Sequence, residues 1–272
     1  MSAIAVLLAA AQPPAAPAIA VPADYRLVWS DEFTRSGLPD PSRWAYDTEF
    51  NRRGWHNREL QYYSAARRRN SRVRGGRLIV EAHAEQLDAR RYPDWGGQAY
   101  TSARLVTRGR ASWTYGYFEI RAKLPCGVGT WPAIWMLADR PAMRWPDDGE
   151  IDIMEHVGHD PGTVHQTVHT GAFNHVRGTH RAARLPVPDA CSAFHVYQLE
   201  WTRERIRMGV DGRQVFTFAR SENRAEWPFD GPQYLILNVA IGGAWGGTRG
   251  VDDRALPARM EIDYVRVYQP PA

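Results

Sequence analysis

From Tyr25 onward the chain is built of short runs in which apolar and polar residues alternate, separated by Gly, Pro, Asn and Asp. In Tyr117-Phe118-Glu119-Ile120-Arg121-Ala122-Lys123-Leu124 the even positions are apolar and the odd ones mostly polar, the period of a half-buried strand. Comparable runs predict strands at 25–29, 77–84, 151–156, 195–201, 205–210, 214–218, 234–240 and 260–268. Val210-Asp211-Gly212-Arg213 supplies an Asp-Gly hairpin turn between two of them. No long stretch holds a helical period, and Gly or Pro breaks the pattern every 8 to 12 residues or so, as in an antiparallel sandwich. Nothing marks a boundary between Tyr25 and Tyr268, and no repeat is present. Residues 24–272 therefore read as one all-β domain.

The first 23 residues, MSAIAVLLAAAQPPAAPAIAVPA, depart from this pattern. An apolar stretch runs into a Pro/Ala segment in which Ala18-Ile19-Ala20 resembles a small-residue cleavage site, although the usual positive start is missing. The reading is a secretory leader and a secreted or periplasmic protein, the alternative being a disordered Ala/Pro tail. The apolar run falls well short of the roughly 20 residues that cross a bilayer, so no membrane span is expected.

Composition narrows the class further. A chain of 272 residues, 44% hydrophobic, can bury a core without a disulfide lattice or a metal. The net charge of +4 comes almost wholly from arginine, Lys123 being the one lysine. The densest cluster, Arg67-Arg68-Arg69, Arg72, Arg74 and Arg77, could hold phosphates, but no nucleic-acid fold signature accompanies it and a solvated loop is the simpler reading. Cys126 and Cys191 either pair in an oxidising compartment or are small buried residues. His156, His159 and His165 form no zinc-like arrangement with them.

The segment richest in chemistry is Gly149-Glu150-Ile151-Asp152-Ile153-Met154-Glu155-His156. Strict alternation puts Glu150 and Asp152 on one face of a strand and Glu155 on the other. One bulge at Ile153-Met154 brings Glu155 round to join them, and bulges are frequent beside active sites. Displacement at an anomeric carbon with retention needs an ionised carboxylate as nucleophile and a protonated carboxyl ~5 to 5.5 Å away. Glu150 is assigned the first role and Glu155 the second. Asp152, between them, raises its neighbours' pKa by like-charge repulsion. A polar strand face with solvated acids is the alternative on spacing alone.

The stretch from Glu150 to Gly158 resembles the active-site signature of glycoside hydrolase family 16, in its laminarinase-like branch, where the extra residue before the second Glu makes a bulge. The resemblance runs nearly end to end. It includes Trp29-Ser30-Asp31-Glu32-Phe33, Asn57-Arg58-Glu59-Leu60-Gln61-Tyr62-Tyr63, Tyr100-Thr101-Ser102-Ala103-Arg104, Tyr115-Gly116-Tyr117-Phe118-Glu119 and Trp131-Pro132-Ala133-Ile134-Trp135-Met136-Leu137. Leu237-Asn238-Val239-Ala240-Ile241-Gly242-Gly243 and Asp263-Tyr264-Val265-Arg266-Val267-Tyr268 complete it. The resemblance implies a concanavalin A-like β-jelly-roll of two curved antiparallel sheets, whose concave cleft cuts β-1,3-glucans or β-1,3/1,4-glucans internally. Glu150, Asp152 and Glu155 match its nucleophile, assisting acid and acid/base.

A glycan cleft needs aromatic plates for sugar faces and polar groups for hydroxyls. By the same resemblance Trp131, Trp135 and Trp245 line the cleft, while Asn57, Arg104 and His169 contact sugars. The region after His169 departs from the commoner pattern: Gln166 stands for a usual Gly, and Thr170-Gly171-Ala172-Phe173-Asn174-His175 replaces a Trp-Pro-Gly type continuation. Many relatives hold one structural Ca²⁺ through oxygens at positions matching Glu32, Gly76 and Asp263, a hard-oxygen set that suits the ion. The implied function is a secreted, monomeric, retaining endo-β-1,3-glucanase acting on laminarin-type glucans without a catalytic cofactor. A mixed-linkage glucanase or a transglycosylase on the same fold are the alternatives. A glucan-binding protein without activity is disfavoured because all the catalytic acids are present.

Overall fold

The computed structural model describes residues 17–271. Its first seven strands are β1 Arg26–Asp31, β2 Ala45–Tyr46, β3 Gln61–Tyr63, β4 Ser71–Val73, β5 Leu78–Ala84, β6 Tyr100–Ser102 and β7 Arg104–Val106. Then come β8 Gly116–Lys123, β9 Thr130–Ala138, β10 Glu150–Glu155, β11 Thr163–His169 and β12 Arg181–Pro186. The last are β13 His195–Trp201, β14 Arg205–Val210, β15 Arg213–Ala219, β16 Gln233–Ile241 and β17 Ala258–Gln269. Each strand predicted from alternation is present with ends shifted by at most two residues.

Two sheets stack. One has 10 strands, in the order β15-β14-β13-β8-β17-β5-β6-β3, with β1 also on β17 and β4 on β5. The other has 7 strands, in the order β12-β11-β10-β9-β16-β7-β2. All pairings are antiparallel except β3 with β6, which run parallel. The long connection between those two strands leaves room for the chain to return in the same direction, which a tight hairpin forbids. The expectation of wholly antiparallel sheets is corrected at that pair.

The core lies between the layers. In β8, Phe118, Ile120 and Ala122 are fully buried while Glu119, Arg121 and Lys123 are half-exposed, as the alternation requires. Facing them are Ile134 and Met136 of β9, Ile151 and Ile153 of β10, and Leu235, Leu237 and Val239 of β16. Trp44, Trp113 and Trp201 are buried here, with Trp29 packed edge-on against Trp44 and Trp113. At the β14–β15 hairpin, Asp211 (φ 51°) and Gly212 (φ 77°) take the left-handed values that a tight Asp-Gly turn demands.

Part of the stretch read as a leader belongs to the sandwich. Ile19 is 1% exposed, its amide donates to Gly212 O at 2.9 Å, and the Gln214 amide donates to Pro17 O at 2.9 Å. On composition the boundary falls at residue 23; in the structure, Pro17 to Ile19 already pack on the hairpin. The rest of that leader reading lies outside the described residues. Cys126 and Cys191 form a disulfide that joins the loop before β9 to the one before β13. The arginine cluster is largely paired, Arg67 and Arg69 with Glu85, Arg72 with Glu81 and Arg77 with Glu261, which leaves little of it free for phosphate. No helix among the described residues is long and apolar enough to cross a membrane.

Candidate active site

Strand β10 lies inside the smaller sheet, between β9 and β11. Gly149 leads into it with φ 86°, and a Cβ there would sit 2.7 Å from the Phe229 ring, so only glycine starts the strand at this angle. Glu150 faces Leu137 and His169 across the ladder, and Asp152 faces Trp135 and Thr167. The register then slips between Asp152 and Met154 on the β9 side and between Asp152 and Glu155 on the β11 side. Ile153 and Met154 are consecutive, yet both are fully buried in the core. That is the bulge, and through it Glu150, Asp152 and Glu155 point to one side of the sheet, as the spacing predicts.

The three carboxyls crowd one another. Burial, then the charge of Asp152, pushes Glu150 up to about 8. Burial and Glu155 hold Asp152 well above the ordinary carboxylate range. Burial and Glu150 push Glu155 up to about 7. Two groups oppose the rise at Glu150: the charge of His169, whose Nε2 lies 3.8 Å from Oε1, and the Trp145 indole, whose Nε1 donates to Oε2 at 2.8 Å. The same nitrogen lies 3.3 Å from Asp152 Oδ2. At Glu155 the opposing donor is Trp131 Nε1, 3.0 Å from Oε1. Each outer carboxyl thus has an indole N–H that opposes the rise, and all three acids stay above the ordinary carboxylate range.

Trp131 stands at the Glu155 end, its ring edge-on to Trp245 at 5.4 Å, and Trp245 is edge-on to His165 at 4.8 Å. Trp245 rides on the loop from Gly242 to Gly247, pinned where the Ala244 amide donates to Asn57 O at 2.6 Å. Asn57 is exposed and held at φ 56°, ψ 17°. Trp135 is placed differently from Trp131. Its Nε1 donates to Asn238 Oδ1 at 2.7 Å, and its ring packs against a second apolar cluster of Val106, Leu137, Tyr234 and Ile236. Arg104 is buried, ion-paired to Asp47 at 2.9 Å, with its guanidinium 4.7 Å from the Trp135 ring and 5.0 Å from Trp55. The structure therefore gathers Trp131 and His169 at the acids, with Trp245 packed on Trp131 and Asn57 under the loop that carries Trp245. Trp135 and Arg104 form a locked stack beside them.

Several groups at the site were not singled out in the sequence. Trp145 comes from the loop before β10. His175 packs 5.0 Å from Trp145 and 5.1 Å from His169, and His180 lies 5.9 Å from His169. His165 and His169 share a face of β11 because they are four apart, a spacing visible in Thr163-Val164-His165-Gln166-Thr167-Val168-His169. Glu59, inside a segment quoted for its resemblance, also reaches this region. His156 Nε2 approaches Cys126 Sγ at 3.7 Å, but the disulfide removes the thiolates that a metal would need.

The proposed calcium ligands lie away from the cleft, flanking the middle of β17. Asp31, just before Glu32, pairs with Val265, and Leu78, two residues after Gly76, pairs with Ile262, so both loops converge on Asp263 and Tyr264. The donor set fits calcium in kind, through main-chain oxygens of Glu32 and Gly76 and one oxygen of Asp263. Arg121 holds the other Asp263 oxygen at 2.7 Å, and Arg266 grips the Glu32 carboxylate with two bonds of 2.9 Å.

Comparison with known proteins agrees with this geometry. The model of glycosyl hydrolases family 16 matches residues 62–266. A beta-glucanase of Rhodothermus marinus is 56% identical over 254 residues, covering 90% of this chain and 85% of that protein. Other curated relatives are longer, and the chain spans 34–56% of three of them. Among solved structures, SCLam, a non-specific endo-β-1,3(4)-glucanase from family GH16, superposes with a TM-score of 0.90 at 53% identity, covering 95% of this chain and 96% of that one. A mutant of SCLam presents a 1,3-β-D-cellobiosyl-glucose at its active site, with a TM-score of 0.91 at 52% identity over 95% of this chain and 100% of that one. The laminarinase from Rhodothermus marinus gives 0.85 at 54% identity, covering 91% and 98%.

Proposed function

The chain belongs to glycosyl hydrolase family 16 and is a glycoside hydrolase, and on that premise we propose that it cuts internal β-1,3-glucosidic bonds of laminarin-type glucans with retention of configuration. The observation that carries the mechanism is the bulge in β10, which sets Glu155 on the same side as Glu150. Glu150 in its anionic form, which accepts from Trp145 and has His169 beside it, attacks the anomeric carbon as the bond to the leaving oxygen breaks. Glu155 delivers its proton to that oxygen. The glycosyl-enzyme ester on Glu150 is then hydrolysed by a water whose proton Glu155 takes back, which regenerates both groups. Asp152, beside Glu150, raises the Glu150 pKa through like charge. No cofactor enters these steps.

Relatives support the substrate through their names, laminarinase and beta-glucanase. A second substrate, mixed-linkage β-1,3/1,4-glucan, is supported by SCLam, which is called non-specific for the 3 and 4 linkages. The disulfide and the apolar start support secretion into an oxidising compartment. One structural calcium through Glu32, Gly76 and Asp263 would tie both ends of the chain to β17; a chelator that left the melting temperature unchanged would remove it from the reading.

Chromatography of products from laminarin, curdlan, lichenan and an agar-type polysaccharide, incubated side by side, tests the substrate. A ladder of oligosaccharides from laminarin is expected. Release of glucose alone, or attack only on the agar-type chain, would overturn the reading.

A further inference from the structure

We infer that Glu59 is a substrate-gripping residue, a carboxylate that accepts a hydrogen bond from a hydroxyl of the sugar seated beside Trp131 at the cleavage point. The inference rests on the reading of the cleft as a glucan hydrolase site, and it adds a specificity-determining group that the catalytic steps do not use. Glu59 ends the short turn His56–Arg58, and its backbone bridges Gly242 at the mouth of the loop that carries Trp245. A Cβ on Gly243 would lie 3.3 Å from Glu59 Cγ and 3.3 Å from Trp131 Cζ3, so the glutamate stem and the indole flank the same point. Trp131 in turn donates to Glu155. The negative charge of Glu59 is felt at Glu155, where it opposes ionisation.

The carboxyl is partly buried, which pushes its pKa up; hydrogen bonds from the neutral side chains of Gln61, Asn57 and Tyr63 and the charge of Arg104 oppose that rise. Gln61 Nε2 donates to Oε2 at 2.9 Å, while the other end of Gln61 accepts from the Ile241 amide at 2.8 Å, which fixes the amide's orientation. Among the described residues no arginine, lysine or histidine nitrogen comes within salt-bridge distance of Glu59; the nearby Arg104 is committed to Asp47. The side chains of Gln61, Asn57 and Tyr63 all hydrogen-bond the carboxyl, and a carboxylate offers about four lone-pair sites, so about one is left for a ligand. A half-desolvated carboxylate without a direct ion pair, in a cleft beside an aromatic plate, is matched by a neutral ligand rich in hydroxyl donors. A pyranose is such a ligand. Removing the one ligand hydroxyl that fills the vacant site leaves that lone pair unmatched, the condition under which a site discriminates.

The experiment compares the parent with Glu59→Gln, which keeps the shape and removes the charge, and with Glu59→Asp, which keeps the charge and shortens the reach. All are assayed on laminarihexaose and on monodeoxy analogues in which single hydroxyls of the sugars flanking the cut are removed. Expected is a loss in kcat/KM of roughly 10- to 100-fold in Glu59→Gln, the range for a bond to a charged group. One deoxy analogue should be penalised similarly in the parent and far less in Glu59→Gln. Melting temperatures and circular dichroism check folding. If neither variant changes kcat/KM beyond about twofold, or if every deoxygenation penalty is the same in parent and variants, the role of Glu59 is overturned. Failure of the parent itself to cut laminarihexaose would instead overturn the glucanase reading.

Discussion

Trp131→Phe isolates one hydrogen bond. Phenylalanine keeps an aromatic face for the sugar and removes only the indole N–H that reaches Glu155 Oε1 at 3.0 Å. That N–H stabilises the Glu155 anion and does nothing for the protonated acid. Hydrogen bonds to charged groups contribute about 1.5–3 kcal/mol. At 1.36 kcal/mol per pH unit, complete loss would raise the Glu155 pKa by about 1–2. Water can enter this open cleft and replace part of the bond, so a rise of about 0.5–1 is expected. The starting point is already high, because burial and the neighbouring Glu150 push Glu155 up to about 7. Glu155 must be protonated when the substrate binds, so kcat/KM falls on the alkaline side as pH passes through its pKa. In Trp131→Phe that alkaline limb should move to higher pH by about half to one unit, even though the plateau drops from poorer stacking. Initial rates at low laminarin concentration, followed by reducing ends across the pH range, give the limb directly. An alkaline limb that stays put, or moves to lower pH, would refute the assignment of Trp131 as the donor and of Glu155 as the acid.

Glu150→Gln should lower kcat by more than about a thousandfold, as expected for loss of a covalent nucleophile. The same variant should also be more stable than the parent at alkaline pH. Between the ordinary carboxylate value and about 8, the unfolded chain gives up a proton that folded Glu150 keeps, so stability falls as pH rises through that window. The rise from 4.5 to about 8 sets a ceiling of about 5 kcal/mol on the effect. Melting curves of parent and variant should therefore coincide near the acidic end of the window and separate at its alkaline end. Azide should restore turnover to Glu155→Ala and yield a β-glycosyl azide. Proton NMR of the first product of the parent should show the β anomer; an α product would contradict double displacement. Replacing both Cys126 and Cys191 with serine removes a cross-link between positions 65 apart and should cost about 4 kcal/mol, read from denaturant midpoints.

Most of the sheet framework was legible because strands half-covered by a core must alternate, and the predicted strands do so. Strand β9 was harder to read. Thr130-Trp131-Pro132-Ala133-Ile134-Trp135-Met136-Leu137-Ala138 is apolar almost throughout, and Pro132 argues against an interior strand. The structure tolerates it because pairing with β10 ends at Ala133, where the ladder no longer needs the amide that proline lacks. The parallel pair β3–β6 has no periodic signature at all, since register between distant segments is set by packing and not by local pattern. Ile19 was hidden for a different reason. An Ala/Pro-rich segment looks like a tail until a glycine across from it leaves a hole: a Cβ on Gly209 would come 2.7 Å from Ile19 Cγ2.

The site divides along the same line. In Glu150-Ile151-Asp152-Ile153-Met154-Glu155 two successive apolar residues interrupt an otherwise strict alternation, so the bulge and the convergence of the acids could be read from six letters. The groups that set the charge state of those acids could not. Trp145 lies in the loop ahead of β10, Trp131 on a neighbouring strand and His169 on the other, and only the folded ladder brings the indole N–H groups to Glu150 and Glu155 and the His169 ring beside Glu150 and Asp152. This separation has a mechanistic consequence. Carboxyls on one strand, left to themselves, are pushed by mutual burial and repulsion toward sharing protons, with no preference for which acid stays charged. Donors placed at the two ends temper that rise: the Trp145 indole lowers Glu150 and the Trp131 indole lowers Glu155, while burial still holds Glu155 high enough to carry the proton it delivers. Once Glu150 has formed its ester it no longer repels Glu155, whose pKa then falls, and the group that donated a proton in the first step becomes the base required in the second.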